Sequence, residues 1–264
     1  MDNSNSGMTT LIDGDIVAYR CAAHRPYILN KSGEPYKGPS GKFVKRDASL
    51  EECLAKVDET IEEILEETSF YNRSRNFKVY LTGSGNFRYD IAKTHVYKGN
   101  RSGAEKPYFL PKVRECLIDK YSAQVSNGEE ADDLISIEAT ALGVNAIIAS
   151  IDKDFLQIPG LHYNLTSKKF TNIDHLTAMK NFYKQVLTGD TADNIVGLYR
   201  VGPVTAEGMV ADCKKEEDLW NVVVDAYGGD IARIVENARL LWLRRVEGEL
   251  WNPPVTVDKR YLDV

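Results

Sequence analysis

The chain has 264 residues, 43% of them hydrophobic and 27% charged, which are globular proportions with enough length to bury a sizeable core as one large domain or two small ones. No apolar run reaches membrane-spanning length, the polar start Met1 to Gly7 reads as a loose tail without a signal peptide's apolar centre, and Cys21, Cys53, Cys116 and Cys213 lie far apart with no C-x-x-C, which argues against a zinc or redox motif and for reduced thiols in a cytoplasmic protein. The net charge of −6 speaks against a nucleic-acid binder only if the acids are spread out, because acids gathered on metal ions would be neutralised there.

In chain order, Thr9 to Ile12 reads as a short buried strand ending at Asp13-Gly14-Asp15, with a helix starting near Ile16. Residues Arg25 to Asp47 are rich in proline, glycine and basic side chains and read as a loop or hairpin excursion. Ser49 and Glu52 form a capping-box signature, and the helix they open carries Leu50, Leu54, Val57, Ile61, Ile64 and Leu65 on one face. Phe77 to Leu81 is a second strand, closed by Thr82-Gly83-Ser84-Gly85. Residues Asn86 to Lys106 are basic, aromatic and weakly periodic; a helix is expected from about Pro107 to Lys120, a brief strand at Ala123 to Val125 and a helix over Glu129 to Leu142. Asn145 to Ala149 is the clearest buried strand. Strands alternating with helices predict an α/β fold with a mostly parallel central sheet, and after about Thr171 the pattern turns helical. The expected division is an α/β core over 8–173 and a helical subdomain over 174–264.

Three tight acidic groups stand out: Glu129-Glu130-Ala131-Asp132-Asp133, Asp152-Lys153-Asp154 and Asp190-Thr191-Ala192-Asp193. Ligands of open α/β sheets lie at the carboxyl ends of strands, where Asp13, Asp152 and Asp154 fall. Asp152 and Asp154, two apart on an extended segment, face the same way, and Glu130 and Asp133 share a helix face. A single aspartate at such a place is usually a cap or turn residue. Several acid pairs at element ends point to hard divalent cations that bridge protein carboxylates to phosphates. Arg88, Lys93, Lys98, Arg101, Lys106, Lys112 and Arg114, interleaved with Phe87, Tyr89, Tyr97, Tyr108 and Phe109, have the composition of a single-strand binding path, or of a solvated basic loop with core aromatics.

Glu130-Ala131-Asp132-Asp133, Ser150-x-Asp152-Lys153-Asp154 and Gly189-Asp190-x-x-Asp193-Asn194 resemble, in order and spacing, the acidic motifs of the 5′-nuclease family of flap endonucleases and 5′→3′ exonucleases, in its free-standing phage or bacterial form. The resemblance runs from Ile12 to about Ala206. It implies a PIN-like core, a helical arch at about 86–120 and a helix-three-turn-helix. It also implies two Mg²⁺ ions, replaceable by Mn²⁺, on Asp13, Glu130, Asp132, Asp133, Asp152, Asp154, Asp190 and Asp193. Tyr97-Lys98-Gly99-Asn100-Arg101 resembles the motif at the base of that arch, which implies that Lys98 and Arg101 act on the scissile phosphate and that Tyr97, Arg88 and Lys93 contact DNA. Gly197 to Ala206 resembles the helix-three-turn-helix, which implies that Gly197, Arg200, Gly202 and Thr205 bind duplex phosphates, with K⁺ as a further ion. Two departures are visible there, Arg200 where glycine is frequent and Val204 where lysine is usual. A third lies at Thr82-Gly83-Ser84, where many members carry a metal-binding aspartate; Asp15 or water could compensate.

The reading is a metal-dependent DNA 5′-nuclease acting on free 5′ ends or single-strand/duplex junctions, as a monomer in the cytoplasm (the host's, if phage-encoded), leaving 5′-phosphates. Its rivals are a PIN-like ribonuclease and a non-catalytic or metal-impaired DNA-binding paralogue.

Overall fold

The computed structural model describes residues 7–101, 103, 105–257 and 259–262; most of the polar start lies outside them. Six strands form one sheet: β1 (Thr9–Asp13), β2 (Asn76–Ser84), β3 (Gln124–Asn127), β4 (Ala146–Ser150), β5 (Gly160–Asn164) and β6 (Lys169–Ile173), in the order β3-β2-β1-β4-β5-β6. All neighbours are parallel except β5 and β6. The chain leaves β1 first toward β2 and later returns to its other side as β4, so β1 and β4 flank a topological switch point, where α/β sheets open a crevice.

Alternating side chains build two apolar layers. Ile12, Val79, Leu81 and Ile147 face α1 (Gly14–Ala22), α2 (Leu50–Thr68) and, later in the chain, α4 (Leu110–Tyr121). Leu11, Tyr80 and Ile148 face α5 (Ala131–Leu142). Both faces are thus covered, and the central strands read as continuous apolar runs. The predicted capping box forms at α2, where Ser49 accepts from the Glu52 backbone and Glu52 from the Ser49 backbone. A third apolar cluster lies in the C-terminal helices α6 (His175–Thr188), α7 (Pro203–Val210), α8 (Glu216–Ala226) and α9 (Ile231–Leu241), around Phe182, Tyr183, Trp220, Ile234 and Trp251.

Strands β5 and β6 have no counterpart in the sequence reading, and neither does the hairpin of β7 (Gly189–Asp190) and β8 (Ile195–Val196). Their segments carry buried polar side chains such as His162 and Asp190, which break the apolar runs that mark the other strands. Where an arch was expected, the described residues between α3 (Arg88–Ile91) and α4 form turns and one 3₁₀ turn at Gly99–Arg101; Ser102 and Ala104 lie outside the described residues. All four cysteines are free, and no helix among the described residues is long and apolar enough to cross a membrane.

Candidate active site

At the switch point a cavity of about 680 Å³ gathers Asp13, Asp15, Glu130, Asp132, Asp152, Asp154, Asp190 and Asp193. Lys98, Arg101, Arg114 and Lys153 stand on the same walls. Asp13 ends β1 and caps α1: one oxygen accepts from the Ile16 amide at 3.1 Å, the other from Ser150 Oγ at 2.6 Å. Ser150 ends β4 and also takes the Asp152 amide, so the two strand ends are tied together. Asp152 caps a 3₁₀ turn by accepting from the Asp154 amide at 2.9 Å, and Asp154 accepts from Gln185 of α6. Asp190 on β7 holds Lys153 at 3.0 Å and the Ala192 amide at 2.7 Å. The hairpin thus delivers Asp190 and Asp193 to the sheet's crevice from outside the sheet.

The carboxylates crowd one another, and their protonation records it. Burial, then Asp15 and Asp152, push Asp13 up to about 6 against the opposing bond from Ser150. Burial, then Asp152 and Asp190, push Asp154 up to about 7. Asp132 is raised well above the carboxylate range by burial and by Asp13, Asp152 and Glu130. Lys98 clasps Glu130, Arg101 clasps Asp193, and Arg114 clasps Asp15. Among the described residues, no group of three or more such side chains is arranged to hold an ion as it stands. The donor set nevertheless fits hard cations. It is all oxygen and converges from separate elements, and its protonation shifts are those of anions that lack a compensating charge.

Two of the expected site residues take other roles: Asp133 stands outside the cavity, and Arg88 touches its wall from the interior, 3.8 Å from Glu130. Arg88 is 1% exposed and cannot lie on a DNA surface. Its guanidinium meets both oxygens of Asp133, at 2.6 and 2.8 Å, and donates to the carbonyls of Leu240 and Trp242 at 2.9 and 2.8 Å. Burial works against the Arg88 charge, yet Asp133 more than offsets it and its pKa is raised. Asp133 is fully buried, accepts the Glu130 amide at 3.2 Å and does not reach the cavity. The spacing of Glu130 and Asp133 that suggested a shared metal face is a capping box of α5.

Tyr97 is also buried, at 2% exposure. Its hydroxyl reaches Glu130 at 3.0 Å and Asp193 at 2.7 Å, and burial together with Glu130 raises its pKa and keeps it protonated. It joins two carboxylates rather than offering a ring to DNA. Lys98 adopts a left-handed backbone, φ 54°, while its amide donates to the Asp193 carbonyl at 2.9 Å; the two together turn its ammonium back onto Glu130. Lys93 is exposed, in a turn fixed by Glu236, which accepts both the Lys93 and Thr94 amides.

The missing carboxylate beside Gly83 has a steric cause. A Cβ there would sit 2.0 Å from the Ser126 carbonyl oxygen, so an aspartate at this position is excluded. Asp15 reaches the same place from α1, accepting the Thr82 amide at 2.9 Å, and Arg114 of α4 is its partner. From sequence, Arg114 is one of the cations of the single-strand path, with nothing to mark it as the partner of Asp15, and Lys153 carries no assigned role although it lies between two motif acids.

A second groove, lined by Asn100, Thr191, Asn194, Tyr199, Arg200 and Arg233 among others, adjoins the cavity. Gly197 packs its backbone on Thr188 and Gly189, where a Cβ would lie 2.1 Å from a carbonyl carbon. Arg200 takes the left-handed conformation, φ 63°, that glycine otherwise supplies, and lies 5.1 Å over the exposed Tyr199 ring. Gly202 caps α7, and Gly202 and Thr205 are exposed at its first turn.

No family model matches the chain. It is 26% identical to a 5′-3′ exonuclease of Mycoplasmopsis pulmonis over 168 residues, which cover 57% of this chain and 55% of that protein. It is 24% identical to a 5′-3′ exonuclease of Buchnera aphidicola over 226 residues, 80% of this chain and 72% of that one. The matched stretch thus spans about half the length of the Mycoplasmopsis protein. Among solved structures, the flap endonuclease of bacteriophage T5, in a complex with DNA and metal ions, overlays with a TM-score of 0.57, 17% identity and 88% coverage of both chains. That likeness establishes the fold: a mostly parallel sheet flanked by helices. The chain is thus similar in sequence to named 5′-3′ exonucleases along more than half of its length and shares its fold with a phage flap endonuclease.

Proposed function

We propose that the protein is a metal-dependent nuclease that hydrolyses phosphodiester bonds of DNA at free 5′ ends or single-strand/duplex junctions, working as a monomer in the cytoplasm and leaving 5′-phosphates. The observation that carries this reading is the convergence of eight carboxylates on one cavity whose walls also present Lys98 and Arg101. Mg²⁺ is the proposed occupant, with Mn²⁺ able to replace it, held by Asp13, Glu130, Asp132, Asp152, Asp154, Asp190 and Asp193, with Asp15 standing in for the carboxylate absent at Gly83. When bound, such ions supply an ionised water and neutralise charge on the leaving oxygen.

The chain's own groups do the rest. Lys98 and Arg101, now clasped to Glu130 and Asp193, turn to the phosphoryl oxygens and stabilise the charge that builds there. Tyr97 holds Glu130 and Asp193 at a fixed separation. In the adjoining groove, which we read as a helix-three-turn-helix, the open amides at the start of α7 and the Arg200 guanidinium take duplex phosphates, with K⁺ as a further ion there. Asn100 and Thr191 of the groove are chain neighbours of Arg101, Asp190 and Ala192 of the cavity, so a duplex held in the one would lead its end toward the other. Support comes from the relatives, two of which are named 5′-3′ exonucleases, and from the T5 enzyme, whose structure contains DNA and metal ions.

The test uses 5′-labelled flap and blunt duplex DNA, with Mg²⁺ and with EDTA. Cleavage that needs Mg²⁺ or Mn²⁺ and leaves 5′-phosphate ends is expected. DNA binding without cleavage under either ion would replace this reading by a non-catalytic one, and preferential cleavage of RNA by a ribonuclease.

A further inference from the structure

The segment between α1 and α2 is folded and lies outside the acidic cavity. Bridges pair Tyr27 with Lys45, Leu29 with Pro35 and Lys37 with Phe43, all antiparallel, so residues 27–45 form a small three-stranded ribbon beside the core. Hydrogen bonds between Ile28 and Val44, and from Tyr36 to Ile28, hold it together. Its aromatic rings are not core: Tyr27 is 43% exposed, Tyr36 45% and Phe43 50%. Between Arg25 and Asp47 the sequence has six basic residues and two acids, a net charge of +4 in a chain of net −6. Its ion pairs among the described residues are Arg25–Asp47 and Arg46–Glu52, which leaves Lys31, Lys37, Lys42 and Lys45 without an anionic partner. Lys37 lies 5.0 Å over Phe43 and Lys45 5.0 Å over Tyr27, while the two rings meet edge to face at 5.6 Å.

We propose that this ribbon is a second nucleic-acid contact, a platform for single-stranded DNA leading away from the active-site cavity. The inference rests on the nuclease reading and extends it to a surface that the acidic and glycine-rich motifs do not include. Exposed rings in a water-facing ribbon offer open faces to a flat partner, and lysines without an anionic neighbour offer charge to a polyanion. A base stacked on a ring, with its phosphate beside the ammonium that already sits on that ring, satisfies both, and a single strand offers that repeat where a duplex hides its base faces. Position supports the assignment. Tyr19 lines both the active-site cavity and a neighbouring groove that contains Arg20, Tyr27, Lys45 and Glu63, so the ribbon's groove adjoins the cavity at Tyr19.

The intact chain, without divalent ions, is titrated by fluorescence anisotropy with blunt duplex and with the same duplex carrying a 5′ or a 3′ single-stranded tail. The double variant Tyr27→Ala/Phe43→Ala is expected to weaken binding of at least one tailed DNA about tenfold or more while changing the blunt duplex less than about twofold. Lys37→Gln/Lys45→Gln keeps the rings and is expected to lower the salt slope of tailed-DNA binding by about 1.4, two contacts at roughly 0.7 each. Thermal unfolding at the native temperature shows that each variant is folded. Equal affinity of native and variant proteins for every tailed DNA overturns the proposal, as does a ribbon that pairs two copies of the chain, seen as a dimer lost in the ring variant with DNA binding intact. Cleavage of the blunt duplex by the native chain with Mg²⁺ is scored separately: its absence defeats the nuclease reading, whereas its presence beside unchanged tail binding defeats only the platform.

Discussion

Asp132 and Asp133 are adjacent, equally acidic and part of one motif, yet they belong to opposite electrostatic regions. Asp132 stands in a cavity where carboxylates face carboxylates, and its proton is held far above the usual range. Asp133 stands in a dry interior where a single guanidinium meets both of its oxygens and two backbone carbonyls complete the cation's donors. The first region is an unbalanced charge that favours whatever cation enters. The second is a balanced ionic unit that joins α5 to the end of α9 and meets the cavity only through Arg88, 3.8 Å from Glu130. Helical geometry makes the division, because consecutive residues point about 100° apart, so one turn serves both the site and its anchor.

The sharpest way to break this comparison is to unbalance the closed region. Arg88→Ala leaves Asp133 buried without its cation, held only by the Glu130 and Arg244 amides, and about 3–5 kcal/mol of stability should be lost. At roughly 2–4 °C per kcal/mol for a chain of this size class, the Tm should fall by about 10 °C. Replacing both partners, Arg88→Met with Asp133→Leu, should recover much of the loss. If Arg88→Ala unfolds at the native temperature in scanning calorimetry, the pair is not the strut described.

The opposite outcome is expected in the cavity. Asp152→Asn removes one of the mutually repelling anions, so the metal-free protein should melt no lower than the native one. Turnover with Mg²⁺ should meanwhile fall more than about a hundredfold, beyond the loss typical of residues that only support metal ligands. Single-turnover cleavage and thermal melts on the same preparation read both quantities. Near-native turnover would remove Asp152 from the site.

The smallest effect is a pH dependence. Asp13 at about 6 and Asp154 at about 7 bind protons more tightly folded than unfolded, where carboxylates titrate near 4. Between those limits the native state holds more protons, so stability falls as pH rises from about 4 to 7. The metal-free Tm should therefore be a few degrees higher at pH 5 than at pH 8, with the difference reduced by saturating Mg²⁺. A metal-free Tm that rises across this window would contradict the crowding of the cavity.

How much of this was legible in the sequence follows from which forces are local. The strands at Thr9, Phe77 and Ala146 and the helices at Ser49 and Ala131 show in apolar periodicity and caps, which act over a few residues. The acids at 13, 130, 132, 152, 154, 190 and 193 do meet in one cavity, because element ends are themselves readable. What failed to show depends on distant partners. Arg88 looked like the other cations of its segment, and only Asp133, Leu240 and Trp242 make it a core residue. Tyr97 looked like a stacking platform until Glu130 and Asp193 closed on its hydroxyl. Gly83 looked like a lost ligand, whereas the Ser126 carbonyl of a neighbouring strand leaves no room for one. The short strands β5 to β8 carry too little apolar pattern to register as strands.

The Arg88 unit also sets an order in time. Its guanidinium is made early, but the carbonyls of Leu240 and Trp242 lie 152 and 154 residues downstream. On a ribosome adding residues one by one, the first half of the sheet must wait with that cation incompletely satisfied until Trp242 has emerged. Such late closure raises contact order and slows the final folding step. It also means that a fragment ending before α9 would carry an open socket at the base of α5, directly beneath Glu130.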